Sequence, residues 1–349
     1  ALGRELDANA LRNHFYRFPG VDNSTDKTLS AMLRMAVIAQ TQEAFEKAPA
    51  ETDEQRAAKA AQEGLVKQLF VELKRDFKPS DLPPYTLVKL GMHLANTSQP
   101  EESIAYFDEI LDPSEPNPVR KQARINGMSK YRKNAVFGKA VALGRSKDNA
   151  KVDTAIKMMR DELSKEESSS NPDRKAMEDA QYNLVKFTAA RQDWPAVIAA
   201  AEKYRADKSY KKNLPEVLFL QGQAYLKQNE PDKALVCFMN ITGADYKGLV
   251  KWSAPAMLAQ MDTLWNRNKM SQGTGKQPSD RYVAWRTGSQ YVQLLDTPAN
   301  RKRMTAEDSD LLNQVKDKVS RFGSDPAVSQ ERSDIAAYEA AIRSARGQK

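Results

Sequence analysis

The chain has 349 residues, of which 40% are hydrophobic and 8% aromatic, too apolar a composition for a disordered chain and a length that suits about two ordinary domains or one elongated array. Its 54 Lys and Arg against 46 Asp and Glu give a net charge of +8, but the two signs interleave nearly everywhere, as on mixed, solvated helix faces. The single cysteine, Cys237, excludes an intrachain disulfide and a cysteine-based metal site, and apolar runs such as AMLRMAVIA from Ala31 fall short of the roughly 18 to 20 residues that a membrane span needs.

The sequence opens at Ala1 rather than methionine. That fits an exported, processed precursor, and it fits equally a chain trimmed at a domain boundary; the periplasm or another exported location is the expectation, the cytoplasm the alternative. RNHFYRF around His14 reads as a packed or partly exposed terminal helix. From Leu29 to Glu46 the apolar positions Leu29, Leu33, Ala36 and Val37, and from Gln55 to Phe77 the positions Ala58, Ala61, Leu65, Leu69, Leu73 and Phe77, follow the three-and-four step of amphipathic helices. A degenerate helix pair is therefore expected over 28–77. Clearer helix-turn-helix units follow at 84–117, 177–210 and 215–248. An elongated unit at 118–170 separates the first two, with one helix near Val119 to Arg145 and a second near Val152 to Lys165. A degenerate pair at 253–296, with a Gly-containing loop between its helices, and terminal helices within 306–346 complete the chain. The breaks are short and punctuated by proline or glycine, and no stretch alternates like a strand.

The stretch LFLQGQAYLKQNEPDKALVCF, Leu218 to Phe238, sets the register of the repeat. If Gly222 stands eighth, Tyr225 is eleventh, Ala234 twentieth and Phe238 twenty-fourth. The same offsets give Gly91, Leu94, Ser103 and Phe107 upstream, and Leu184, Phe187, Ala196 and Ala200 between them. Pro100 and Pro231 fall at one shared place, each two residues after a capping candidate, Ser98 and Asn229. Unit starts at Pro84, Met177 and Pro215 lie 93 and 38 residues apart.

With these small and large residues in these places, the chain resembles the tetratricopeptide repeats, whose unit of about 34 residues folds as helix-turn-helix. The departures are Gln221, where a large apolar residue is usual, and the absence of tryptophan at the fourth position. The resemblance implies an all-α fold: one right-handed superhelical solenoid of antiparallel pairs over 1–349, about six pairs with irregular ends. It also implies a groove lined by the first helix of each pair. Carried over, the groove positions are Tyr85, Val88, Met92, Ala95 and Asn96; then Glu178, Gln181, Val185, Thr188 and Ala189; then Glu216, Phe219, Gln223, Leu226 and Lys227. Tyr85, Met92 and Phe219 are the expected anchors for an apolar or helical segment. The version of the family that clamps a chain terminus with lysine is not expected, because Val88, Gln181 and Phe219 stand where that lysine would be.

Catalytic motifs are not found: there is no G-x-S-x-G, H-E-x-x-H, Walker loop or Rossmann glycine pattern. Only two histidines, His14 and His93, are present. Cys237 beside Phe238 reads as a buried thiol. No catalytic, cofactor or metal site is expected. The expected function is a non-enzymatic scaffold that binds another protein or peptide segment, within a bacterial cell-envelope assembly by analogy of repeat style. The alternative is polyanion binding, to nucleic acid or anionic wall polymer, through Lys130-Tyr131-Arg132-Lys133, Lys211-Lys212 and Arg301-Lys302-Arg303. These clusters are short and acidic residues stand close to most of them, so a solvated face is preferred over nucleic-acid contact.

Overall fold

The computed structural model describes residues 24–48, 52–97, 99–243, 250–273 and 277–347; His14 and Ser98 lie outside them. Among the described residues every regular element is helical, and within each compact unit most helices adjacent in sequence pack as neighbours in space. The chain divides into two compact units, Ala1–Pro172 and Asp173–Lys349, with the boundary in the Ser- and Pro-containing break that follows the elongated segment.

The first unit contains α1 (Ser24–Lys47), α2 (Asp53–Asp76), α3 (Pro84–Asn96), α4 (Pro100–Leu111), α5 (Pro118–Met128), α6 (Arg132–Gly144) and α7 (Asn149–Glu167). Local chemistry sets the starts. Thr52 and Gln55 form a capping box at α2, Asn117 accepts from the backbone N–H groups of Val119 and Arg120 at α5, and proline occupies the first turn of α3, α4 and α5. The buried stripe of α1 is Ala31, Met35, Val37 and Ile38, so the expected Val37 is inside, whereas Leu33 is only half-buried and Ala36 exposed. In α2 the expected stripe holds from Leu69 to Phe77, but Ala58 and Ala61 are exposed. The helix expected near Val119 to Arg145 is two helices, α5 and α6, joined by a 3₁₀ turn at Ser129–Tyr131. That turn buries Met128 while α6 packs against both α3 and α4.

Phe107 of α4 is the centre of this unit. Its ring is fully buried, and a Cβ added to Gly91 of α3 would lie 2.8 Å from the ring. A Cβ at Gly138 of α6 would come closer still. Two helices can approach one phenylalanine this closely only because both contribute a residue without a side chain.

The second unit contains α8 (Arg174–Ala190), α9 (Trp194–Ala206), α10 (Leu214–Lys227), α11 (Pro231–Thr242), α12 (Val250–Arg267), α13 (Asp280–Leu295), the short α14 (Pro298–Arg301), α15 (Ala306–Gly323) and α16 (Pro326–Gly347). Here the clasp recurs: a Cβ at Gly222 would lie 2.6 Å from Cε1 of Phe238, whose ring is fully buried. The glycine and phenylalanine of the sequence repeat are thus residues of a joint. Between α12 and α13 a different pair takes the role, Gly288 against the Met261 sulfur.

Equivalent places in α8 to α11 show that the expected register of the middle unit is off by one residue. In α10 and α11 the buried positions include Leu218, Gly222, Tyr225, Ala234, Phe238 and Ile241; in α8 and α9 they are Gln181, Val185, Thr188, Val197, Ala201 and Tyr204, a spacing of 37 residues at every position. The turns agree. Gln192 and Asn229 adopt φ of 57° and 58°, and the N–H groups of the residues after them, Asp193 and Glu230, bond back to the carbonyls of Thr188 and Tyr225 at 3.1 and 2.9 Å. This is a Schellman ending in both cases. Asn229 therefore ends α10 rather than capping α11, for which it was the candidate. The offset arose because adjacent residues are buried together, Leu184 with Val185, Phe187 with Thr188 and Ala200 with Ala201, so the apolar spacing reads equally well one residue early.

Past α11, Arg267 at the end of α12 forms a fork on Asp280 at the start of α13, with Nε and Nη2 at 2.7 and 2.6 Å, and also pairs with Asp232 in α11. Asp280 additionally accepts from the Lys269 backbone N–H at 2.8 Å. Trp265 stacks on Phe322 with ring centroids 3.8 Å apart, tying α12 to α15.

Candidate functional site

The expected groove positions separate into residues consumed by packing and residues left accessible. Val88 of α3, and Gln181 and Val185 of α8, are buried at 7%, 7% and 0% exposure and cannot line a surface. For Val185 the reason is the register: it occupies the place of Gly222. Gln181 occupies that of Leu218, and its Nε2 donates to the Ala200 carbonyl of α9 at 2.8 Å. Ala95 and Thr188 are buried as well, and Thr188 donates to the Leu184 carbonyl within its own helix.

Glu178 and Glu216 are taken up by tyrosines, Tyr204 buried and Tyr182 half-buried. Tyr204 donates to Glu178 at 2.6 Å, and the Asn213 N–H donates to the Tyr204 hydroxyl, so the Glu178–Tyr204 pair fixes the α9–α10 loop to the start of α8. Tyr182 donates to Glu216 at 2.5 Å across α8 and α10. Burial first, and the neighbouring carboxylates second, push both phenols well above their ordinary range, while burial raises the Asp179 carboxyl nearby. These groups form a structural clamp between helices. Periodicity cannot reveal it, because it depends on side chains about 26 and 34 residues apart meeting at their tips.

What stays accessible lies on one helix in each unit. On α3, Tyr85 is 44% exposed with Lys89 over its ring, Met92 is half-buried, and Asn96 is exposed. Arg145 from the end of α6 donates to the Ala95 carbonyl at 2.5 Å, closing the C-terminus of α3. His93 stacks on Phe70 at 4.0 Å, a half-buried packed ring whose pKa is lowered by burial first and by the Lys67 charge second. On α10, Phe219 is half-buried and tilted against Phe238 at 5.9 Å, whereas Gln223, Leu226 and Lys227 are exposed. Phe219, Gln223 and Lys227 follow one another at four-residue steps along one face.

The basic clusters are partly spent within the protein. Lys133 pairs with Glu166 at 2.6 Å, Lys130 lies over Tyr131, and Arg301 pairs with Asp296 at 2.5 Å. Cys237 is buried, with its thiol pushed up to about 11 by burial, the Arg205 charge pulling the other way. Among the described residues no helix is long and apolar enough to cross a membrane, and no group of three His, Cys, Asp or Glu is arranged to hold a metal ion. No family model matches the chain, and no curated protein matches it.

Proposed function

We propose that this is a tetratricopeptide-type scaffold, a right-handed array of about six helix pairs, that binds a segment of another protein on the accessible faces of its first helices. The observation that carries this reading is the surface of α10. Its inward side packs against α8, α9, α11 and α12, yet Leu226 stands 37% exposed beside Gln223 and Lys227, which have no hydrogen-bond or ion-pair partner among the described residues. An exposed apolar side chain bordered by unspent polar groups is how a helix-in-groove contact is built, with the apolar residue as anchor and the polar rim setting register. Tyr85 with Met92 offers a second apolar pair of the same kind on α3.

The test compares proteins captured by the immobilised chain with those captured by a Gln223→Ala/Leu226→Ser/Lys227→Glu variant. All three side chains are exposed, so helical content and melting should match the parent. A discrete protein retained by the parent and weakened tenfold or more in the variant supports the groove. Capture that is equal in both chains and falls steeply with salt transfers the function to the basic surface.

A further inference from the structure

The segment from Arg205 to Leu218, running from the end of α9 through the α9–α10 loop into α10, together with Asn240 of α11 bounds an open cleft of about 670 Å³. Its rim carries Arg205, Lys208 and Lys211, and Tyr210, Leu214 and Leu218 give it an apolar wall. Lys208 and Lys211 are exposed and have no ion-pair partner among the described residues. The one acid on the rim, Asp207, is already engaged: the N–H and hydroxyl of Ser209 donate to it at 2.9 and 2.7 Å, Arg174 of α8 pairs with it at 3.5 Å, and these contacts, Ser209 first, hold its carboxyl below the ordinary range. The rim therefore carries three cations and one engaged carboxylate, a surplus of two positive charges.

Gln221 gives this cleft a built element. It is fully buried at a place where the repeat takes a large apolar residue, and its Nε2 has no hydrogen-bond partner. Its Oε1 accepts from Arg205 Nη1 at 2.9 Å. A buried amide with an orphaned N–H is costly, and the contact it provides holds the guanidinium at the cleft with its remaining donors unspent. We propose that this cleft binds a phosphate monoester carrying an apolar body, with Arg205, Lys208 and Lys211 on the phosphate, Leu214 and Leu218 against the apolar part, and Gln221 as the positioning residue for Arg205. The charge surplus matches a group of about −1.5 to −2 at neutral pH, and a planar guanidinium fork suits phosphate oxygens. The cleft uses the side of α10 that bears Leu214 and Leu218, not the face that bears Gln223 and Lys227, so it stands independently of the groove.

Phenyl phosphate, inorganic phosphate and benzoate are titrated into the full chain by calorimetry. Phenyl phosphate should bind, with inorganic phosphate weaker for lack of the apolar contact and benzoate at least tenfold weaker for its single charge. Lys208→Gln/Lys211→Gln should weaken phenyl phosphate on the order of thirtyfold at unchanged melting temperature. Gln221→Leu should leave melting unchanged or raised while weakening binding several-fold, a split that a merely structural glutamine would not give. Absence of phenyl phosphate binding, equal binding of benzoate, or undiminished affinity in both variants would overturn the assignment.

Discussion

Replacing Gly222 with alanine tests the joint directly, because two opposing effects have known sizes there. Within a helix alanine is favoured over glycine by about 1 kcal/mol. Against this, the new Cβ would lie 2.6 and 2.8 Å from Cε1 and Cζ of Phe238, a ring that is fully buried and backed by Phe219. Overpacking of a filled core costs about 1–3 kcal/mol, and a contact this short with a ring that cannot withdraw belongs at the upper end. The net expectation is a loss of about 1–2 kcal/mol, seen as a fall of roughly 3–6 °C in the melting midpoint for a unit of this size. Gly64 supplies the control. It lies in α2, is exposed, and has nothing within 4 Å of an added Cβ, so Gly64→Ala should raise stability by about 1 kcal/mol. Thermal unfolding followed by far-UV circular dichroism reads both signs. A third variant, Gly222→Ala/Phe238→Leu, should lose less than the two single changes together, since the smaller side chain vacates the space that the methyl enters. A rise in melting temperature for Gly222→Ala, or strict additivity in the pair, would refute the clasp.

Asp280 is drawn in opposite directions: burial raises its pKa, but the Arg267 fork and the Lys269 N–H outweigh burial and hold it below its ordinary value. A depressed carboxylate contributes stability above its unfolded pKa of about 3.9 and loses it as pH falls through the folded value. Asp280→Asn should therefore cost about 2–3 kcal/mol at neutral pH, leaving Arg267 without its buried partner, and the gap to the parent should shrink below about pH 4 in a melting series. Cys237, with its thiol near 11 and 2% exposure, should react with iodoacetamide at pH 8 at least about a hundredfold more slowly than a free thiol, and at the free-thiol rate once denaturant unfolds α11.

The pairing of Gly222 with Phe238 was legible in the sequence because both residues lie within one helix pair, where spacing alone brings them together. Gly138 was not, since its partner Phe107 belongs to a different pair and no local period links them. The register of α8 and α9 was displaced because Leu184, Phe187 and Ala200 are buried as well as Val185, Thr188 and Ala201, so the apolar spacing alone fixed the unit only to within a residue. One residue is enough to exchange an accessible position for a buried one, which is why Gln181 and Val185 read as groove residues while lying in the core. In α1 the run AMLRMAVIA is apolar on several faces, and only packing selects Ala31, Met35, Val37 and Ile38. The exposed positions Gln223, Leu226 and Lys227 could be read because α10 is anchored by a glycine that fixes its inward face. Gln221 stood out as a departure, but its contact with Arg205 required the neighbouring helix to be in place.

Phe107, held between Gly91 and Gly138, makes three positions answer to one volume. A methyl group gained on either helix must be matched by atoms lost from the ring, and a smaller residue at position 107 would release both glycines at once. Sequence change in this unit is therefore expected to move in linked steps: relatives that keep an aromatic residue at 107 should keep glycine at 91 and 138, and those that exchange it for leucine or valine should admit alanine at both. Three distant columns that vary together in this way would trace the meeting of α3, α4 and α6 without any structure in hand.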